Sequence, residues 1–223
     1  MTAEPRPRRG AQAVTAPCGL ILAGGDGRRM GGMKPFVPYR GRPLIAHAVA
    51  RLGPQVDRLA INVGRPGTAL AARLTAFGEE QGLPLVADDP ELAGLGPLSG
   101  VLAGLAALPA EAVLVTLPCD MPEVPLDLAA RLLRRLRETG APAVHAAGRR
   151  PYPLCAAWTT PLLPRLTAAL SAARAEGGLR VMRFLADAGA ATLPIPPGEE
   201  PAFLNLNEPP APASPLRDPP IRG

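Results

Sequence analysis

The stretch that most restricts what this chain can fold into is a short apolar run, Gly19-Leu20-Ile21-Leu22. It breaks at once into Ala23-Gly24-Gly25-Asp26-Gly27-Arg28-Arg29-Met30-Gly31-Gly32-Met33-Lys34-Pro35. An apolar strand that opens into glycines mixed with cations has the chemistry of a phosphate cradle. Glycine admits positive φ and lets backbone N–H groups approach an anion with no side chain in the way. Neither familiar cradle fits the spacing. The dinucleotide pattern GxGxxG fails because Met30 stands where a third glycine would follow Gly25 and Gly27. The Walker pattern nearly fits from Gly27 to Gly32, but Met33 intervenes before Lys34, and Pro35 replaces the hydroxyl that would hold magnesium. The stretch is therefore a third kind of phosphate loop or a glycine-rich surface turn. Lys34 favours the loop: it is the only lysine in the chain, every other Lys/Arg position being arginine. Such an exception suits a site that needs a compact ammonium rather than a planar fork.

From Cys18 onward, short β-branched or leucine-rich runs alternate with longer helical ones, which predicts an α/β fold. The expected form is a single Rossmann-like three-layer domain with a mostly parallel central sheet. Strands are expected at residues 18–22, 58–63, 83–87, 112–117, 143–147 and 153–158. Helices are expected at 44–52, 68–81, 96–108, 126–139, 160–176 and 179–188. The alternation in Phe203-Leu204-Asn205-Leu206-Asn207 predicts a last, half-buried strand. Three strand ends carry polar groups: Asn62, Asp88-Asp89 and Asp120, the last held in Pro118-Cys119-Asp120-Met121-Pro122. Open α/β sheets place ligands and metals at such ends. Gly96-Pro97-Leu98-Ser99-Gly100 opens a helix beside them, as suits an anion or polar ligand.

Residues 1–17 and 209–223 read as proline-rich, disordered tails around a folded domain at 18–208. The first tail lacks the apolar core of a signal peptide, and no apolar run reaches membrane-helix length. A cytoplasmic protein without a membrane partner is expected. Three cysteines without CxxC spacing and two histidines give neither a disulfide framework nor a zinc site. The net charge of +5 comes from scattered arginines with few aromatics, so no nucleic-acid partner is expected.

The first loop, Asp89, the Gly96–Gly100 turn, Pro118–Pro122, Arg180-Val181-Met182-Arg183-Phe184-Leu185 and Phe203–Asn207 occur in one order. In that order they resemble the molybdenum cofactor guanylyltransferases, within the nucleotidyltransferase group of Rossmann-like fold. The resemblance implies that GMP is transferred from GTP to the terminal phosphate of molybdopterin, or of molybdenum-molybdopterin, with release of pyrophosphate. It also implies Mg2+ as cofactor and proteins that deliver or accept the molybdenum cofactor. By the same resemblance Leu22, Ala23, Gly24, Gly25, Lys34, Asn62, Asp89 and Asp120 bind the nucleotide, and Asp120 also binds the metal. Arg28, Lys34 and Asp120 would carry catalysis, and Asn205 and Asn207 would meet the acceptor. Two departures stand out. Gly31-Gly32-Met33-Lys34 is one residue shorter than the family's usual approach to its lysine and lacks its acid, and a proline-rich stretch follows Asn207 in place of a helix. The alternatives are a cytidylyltransferase acting on molybdopterin or another phosphorylated acceptor, and a nucleotide-binding module without turnover.

Overall fold

A computed structural model describes residues 17–25 and 33–206. Arg28, Asn207 and the two stretches read as tails, apart from Pro17, lie outside the described residues. The chain opens with β1 (Cys18–Leu22). A short 3-10 turn at Lys34–Phe36 and a two-stranded hairpin, β2 (Pro38–Tyr39) and β3 (Arg42–Pro43), then lead into α1 (Leu44–Leu52). Next come β4 (Arg58–Gly64), α2 (Ala69–Gln81), β5 (Leu85–Ala87), α3 (Pro97–Ala106), β6 (Val113–Pro118) and α4 (Leu128–Thr139). The chain continues through β7 (Ala143–Ala147), β8 (Pro151–Thr159), α5 (Leu163–Ala173), α6 (Val181–Ala188) and β9 (Ala191–Pro194).

Seven strands form one sheet in the order β5-β4-β1-β6-β8-β7-β9. Only β8 runs against the rest, pairing antiparallel with both β6 and β7. The expectation of a mostly parallel sheet is met. Both faces are covered, and the alternation of side chains along each strand divides the core in two. Ile21, Val113, Val115 and Leu117 face the layer built by α1, α2 and α4. Leu20 and Leu114 face α3, α5 and α6. Strands covered on both faces read as continuous apolar runs, which is why β6 is buried along its whole length. Trp158 is fully buried, and its indole N–H donates to Thr116 Oγ1 at 2.9 Å. Thr116 in turn donates to Leu154 O at 2.7 Å, so the polar tips in this apolar layer are partnered.

Helix signals in the sequence hold closely. Thr68 caps α2 by accepting from Ala71 N–H at 3.1 Å, and α1 spans the expected residues. Two features differ from expectation. β9 was not expected. It is a four-residue strand whose only buried residue is Leu193, and it is held as an edge by parallel pairing with β7. Residues 203–206 are not a strand. A 3-10 turn at Glu200–Phe203 drives Phe203 into the core against Tyr152, ring centroids 4.8 Å apart, and the chain beyond it pairs with no strand among the described residues. The alternation there marks one inward anchor rather than a ladder.

Candidate active site

Strands β1, β4, β5 and β6 are parallel, so their carboxyl ends open on one edge of the sheet. After β1 the chain builds β4 and β5 on one side, then crosses back to place β6 on the other. That reversal leaves a crevice over the strand ends. A cavity of ≈ 420 Å³ fills it, lined by Leu22, Ala23, Gly24 and Gly25 after β1, by Asn62 and Arg65 after β4, by Asp88 after β5, and by Cys119 and Asp120 after β6. Lys34 and the opening of α3 at Gly96, Pro97 and Gly100 complete the wall. A larger cavity of ≈ 560 Å³ lies at the opposite ends of the strands, where Cys18, Asp57 and Ala112 stand, and the polar groups singled out above do not reach it.

Two glycines let the strand ends come this close. A Cβ on Gly24 would stand 2.2 Å from Gly64 Cα, and one on Gly64, whose φ is +71°, would stand 2.3 Å from Gly24 O. Backbone here packs on backbone, with Ala23 N–H donating to Asn62 O at 3.3 Å and Asp88 N–H to Gly64 O at 2.9 Å. Cys119 N–H donates to Leu22 O at 3.1 Å, which ties the third strand end to the first.

Lys34, beginning its 3-10 turn, donates through Nζ to Asp120 Oδ2, and to Asn205 Oδ1 at 3.4 Å. Both ionic side chains are mostly covered, Lys34 being 16% and Asp120 13% exposed. Asn205 reaches the pair because Leu206 N–H donates to Asp120 O at 3.0 Å, folding the last described segment over the β6 end. The second carboxylate oxygen, Asp120 Oδ1, is buried and has no hydrogen-bond partner among the described residues. A buried carboxylate oxygen without a donor is expensive, and a hard cation is the partner that suits it. No group of three or more His, Cys, Asp or Glu among the described residues could hold a metal. A divalent ion on Asp120 would therefore complete its oxygen shell from phosphate groups and water, as magnesium does at phosphoryl-transfer sites. Cys119 and Cys155 lie close by, and burial, followed by the Asp120 charge, pushes both thiols far above their ordinary range. They stay protonated and offer no nucleophile.

Asn62 is buried at the β4 end and donates through Nδ2 to Asp88 Oδ1 at 2.8 Å and to Val86 O at 3.1 Å. Burial raises the Asp88 carboxyl above its ordinary range, while the Asn62 hydrogen bond and the Arg65 charge pull it back. Asp89, expected to meet the nucleotide, is exposed: its Oδ1 accepts from Glu91 N–H at 2.8 Å, and the cavity wall is formed by its neighbour Asp88. Asp88 stands beside Asp89 at this strand end in the sequence, and nothing in the sequence singles out Arg65. A register shift between Asn62 and Gly64 sets β5 against β4, so simple alternation does not tell which of two adjacent acids turns inward. His47, on α1, braces the hairpin and does not line the cavity, its Nε2 donating to Tyr39 O at 2.7 Å.

The model of the MobA-like NTP transferase domain matches residues 19–190. The chain belongs to the MobA-like NTP transferase family. Among its relatives is the molybdenum cofactor guanylyltransferase of Cereibacter sphaeroides, 48% identical over 196 residues, which are 86% of this chain and 91% of that protein. The enzyme of the same name from Rhodobacter capsulatus is 40% identical over 195 residues, 86% of this chain and 90% of that one. The solved structure of molybdopterin-guanine dinucleotide biosynthesis protein A from Archaeoglobus fulgidus superposes with a TM-score of 0.69 at 20% identity, covering 86% of this chain and 93% of that one. The 4-diphosphocytidyl-2C-methyl-D-erythritol synthase of Anaerococcus prevotii gives 0.59 at 12% identity over 86% and 92%. At those identities the structural likeness speaks for the fold alone. The MobA-like NTP transferase match takes in every cavity-lining residue named above, and Asn205 falls beyond it. No helix among the described residues is long and apolar enough to cross a membrane.

Proposed function

We propose that this protein transfers GMP from GTP to the terminal phosphate of molybdopterin. In this reading an oxygen of the acceptor phosphate attacks the α-phosphorus, the bond from that phosphorus to the bridging oxygen breaks, and pyrophosphate departs. The names of the relatives at 40–48% identity point to this reaction. The observation that carries it here is the meeting of Lys34 and Asp120 in the cavity at the glycine end of β1, with Asn205 against Lys34. Both reactants are anions and no activated nucleophile lies among the described cavity residues, so positioning and charge neutralisation do the work.

The residues divide that work by place. The strand-end amides around Ala23, Gly24 and Gly25 lie where a triphosphate would pass. Lys34, with Arg28 from the part of the loop outside the described residues, offers positive charge to the departing pyrophosphate. Asp120 would hold the magnesium, which when bound offsets charge on the phosphate oxygens around the reacting phosphorus. Asn205 joins Lys34 from the last described segment, on the side left for the acceptor, and Asn207 would bind the acceptor with it. Asn62 lies toward the nucleoside end.

The test is pyrophosphate release with purified molybdopterin, magnesium and each of the four nucleoside triphosphates. GTP is expected to be preferred. Preference for CTP would replace this reading with cytidylyl transfer, and GTP binding without release in the presence of acceptor would replace it with a binding module.

A further inference from the structure

The Asn62 carboxamide can be set in two ways that differ in whether nitrogen or oxygen faces the cavity. Its neighbours decide. Nδ2 lies 2.8 Å from Asp88 Oδ1 and 3.1 Å from Val86 O. A carboxylate and a carbonyl only accept, so the amide nitrogen belongs on their side and the oxygen on the other. That oxygen stands against the first turn of α3, where a Cβ on Gly100 would lie 2.6 Å from it, and Asn62 and Gly100 both line the cavity. Asn62 is 4% and Asp88 8% exposed, so water competes little for either. The hydrogen bond to the carboxylate is the charge-assisted, stronger one of the two.

The strand order gives this amide its place on a ligand. Asp120 follows β6, the glycine loop follows β1, and Asn62 and Asp88 follow β4 and β5 beyond it. A nucleotide with its phosphates near Lys34 and Asp120 therefore extends its nucleoside toward Asn62. We propose that Asp88 is a positioning residue that locks the Asn62 amide with its oxygen toward the cavity. The nucleoside end is then read by an acceptor and must bring a donor, either the guanine 2-amino group or the ribose 2′-hydroxyl. This rests on the guanylyl-transfer reading. A side chain that only stabilised the fold would not need to choose the face of its neighbour's amide.

The test is steady-state kinetics of the full chain with GTP, ITP and 2′-deoxyGTP for wild type, Asp88→Ala and Asp88→Asn. Asp88→Ala should raise KM for GTP about tenfold with kcat changed less than about twofold, the effect of losing one buried orienting hydrogen bond. Asp88→Asn can still accept from Asn62 Nδ2 and should return KM to within about threefold of wild type. If the asparagine variant is as impaired as the alanine one, the carboxylate acts by its charge and the positioning role is overturned. An unchanged KM in Asp88→Ala overturns it equally. ITP lacks the 2-amino group and 2′-deoxyGTP lacks the 2′-hydroxyl, so the analogue whose KM does not rise further in Asp88→Ala identifies the donor. If both rise as GTP does, the contact is refuted. Should Asp88→Ala fail to fold, Asp88→Ser takes its place. A wild type that releases no pyrophosphate fails the guanylyl-transfer reading instead, and GTP Kd values measured without acceptor then test Asp88 alone.

Discussion

Replacing Gly24 by alanine probes how the strand ends are brought together. A Cβ there would stand 2.2 Å from both Gly64 Cα and Gly64 N, and 2.8 Å from Val63 C, against the 3.4 Å at which ordinary contact begins. All three neighbours are backbone, so no side chain can swing aside. The β1 end must move from the β4 end by about 1 Å, and a displacement of that size in a positioning site lowers turnover by about a hundredfold. We expect kcat/KM for GTP to fall about a hundredfold, equivalent to about 2.7 kcal/mol of transition-state stabilisation. Overpacking should cost about 1–3 kcal/mol of stability, a melting temperature lower by about 2–12 °C in a chain of this size. Gly25→Ala is the companion, because its Cβ would meet nothing within 4 Å. It should melt within about 2 °C of wild type yet bind GTP more weakly, since Gly25 lines the cavity and a methyl there keeps phosphate from the backbone. Pyrophosphate release and thermal unfolding, measured on both variants, give the two numbers. A Gly24→Ala protein with wild-type kcat/KM and melting temperature would refute the close-packing account of the loop.

Asp120→Ala should lose about 100- to 1,000-fold in kcat while the protein stays folded, and GTP binding should lose its dependence on magnesium; retained magnesium dependence would move the metal elsewhere. Lys34→Arg should lower kcat/KM at least about tenfold, because Nζ is seated between Asp120 and Asn205 and a longer planar guanidinium does not fit that seat; full activity would show that any cation serves. Burial holds the His145 imidazole below its ordinary value of 6.5. The unfolded chain takes up the proton first, so this contribution to stability is full above pH 6.5 and is lost as pH falls toward the lowered folded value. His145→Gln should flatten the fall in melting temperature between about pH 7.5 and about pH 5.5, and parallel profiles for the two proteins would count against it.

What the sequence determined by itself is whatever depends on near neighbours along the chain. The nearly all-apolar β6, the helix that starts at Thr68, the α1 boundaries and the break from β1 into glycines follow from side-chain period and backbone preference, and each lies within a residue of where it is expected. The position of Asp120 after a parallel strand follows from the same reasoning, because strand ends are where such a sheet leaves room. Tertiary structure decided what is brought together. Lys34 and Asp120 are 86 residues apart and Lys34 and Asn205 are 171 apart, and only the reversal of strand order and the fold-back of Leu206 onto the β6 end make them neighbours. β9 exists because β7 offers it an edge, and residues 203–206 are no strand because no edge is paired with them and Phe203 has a pocket beside Tyr152. The choice between Asp88 and Asp89 depends on a register shift against β4, a relation between two strands that period-2 alternation within one of them does not contain.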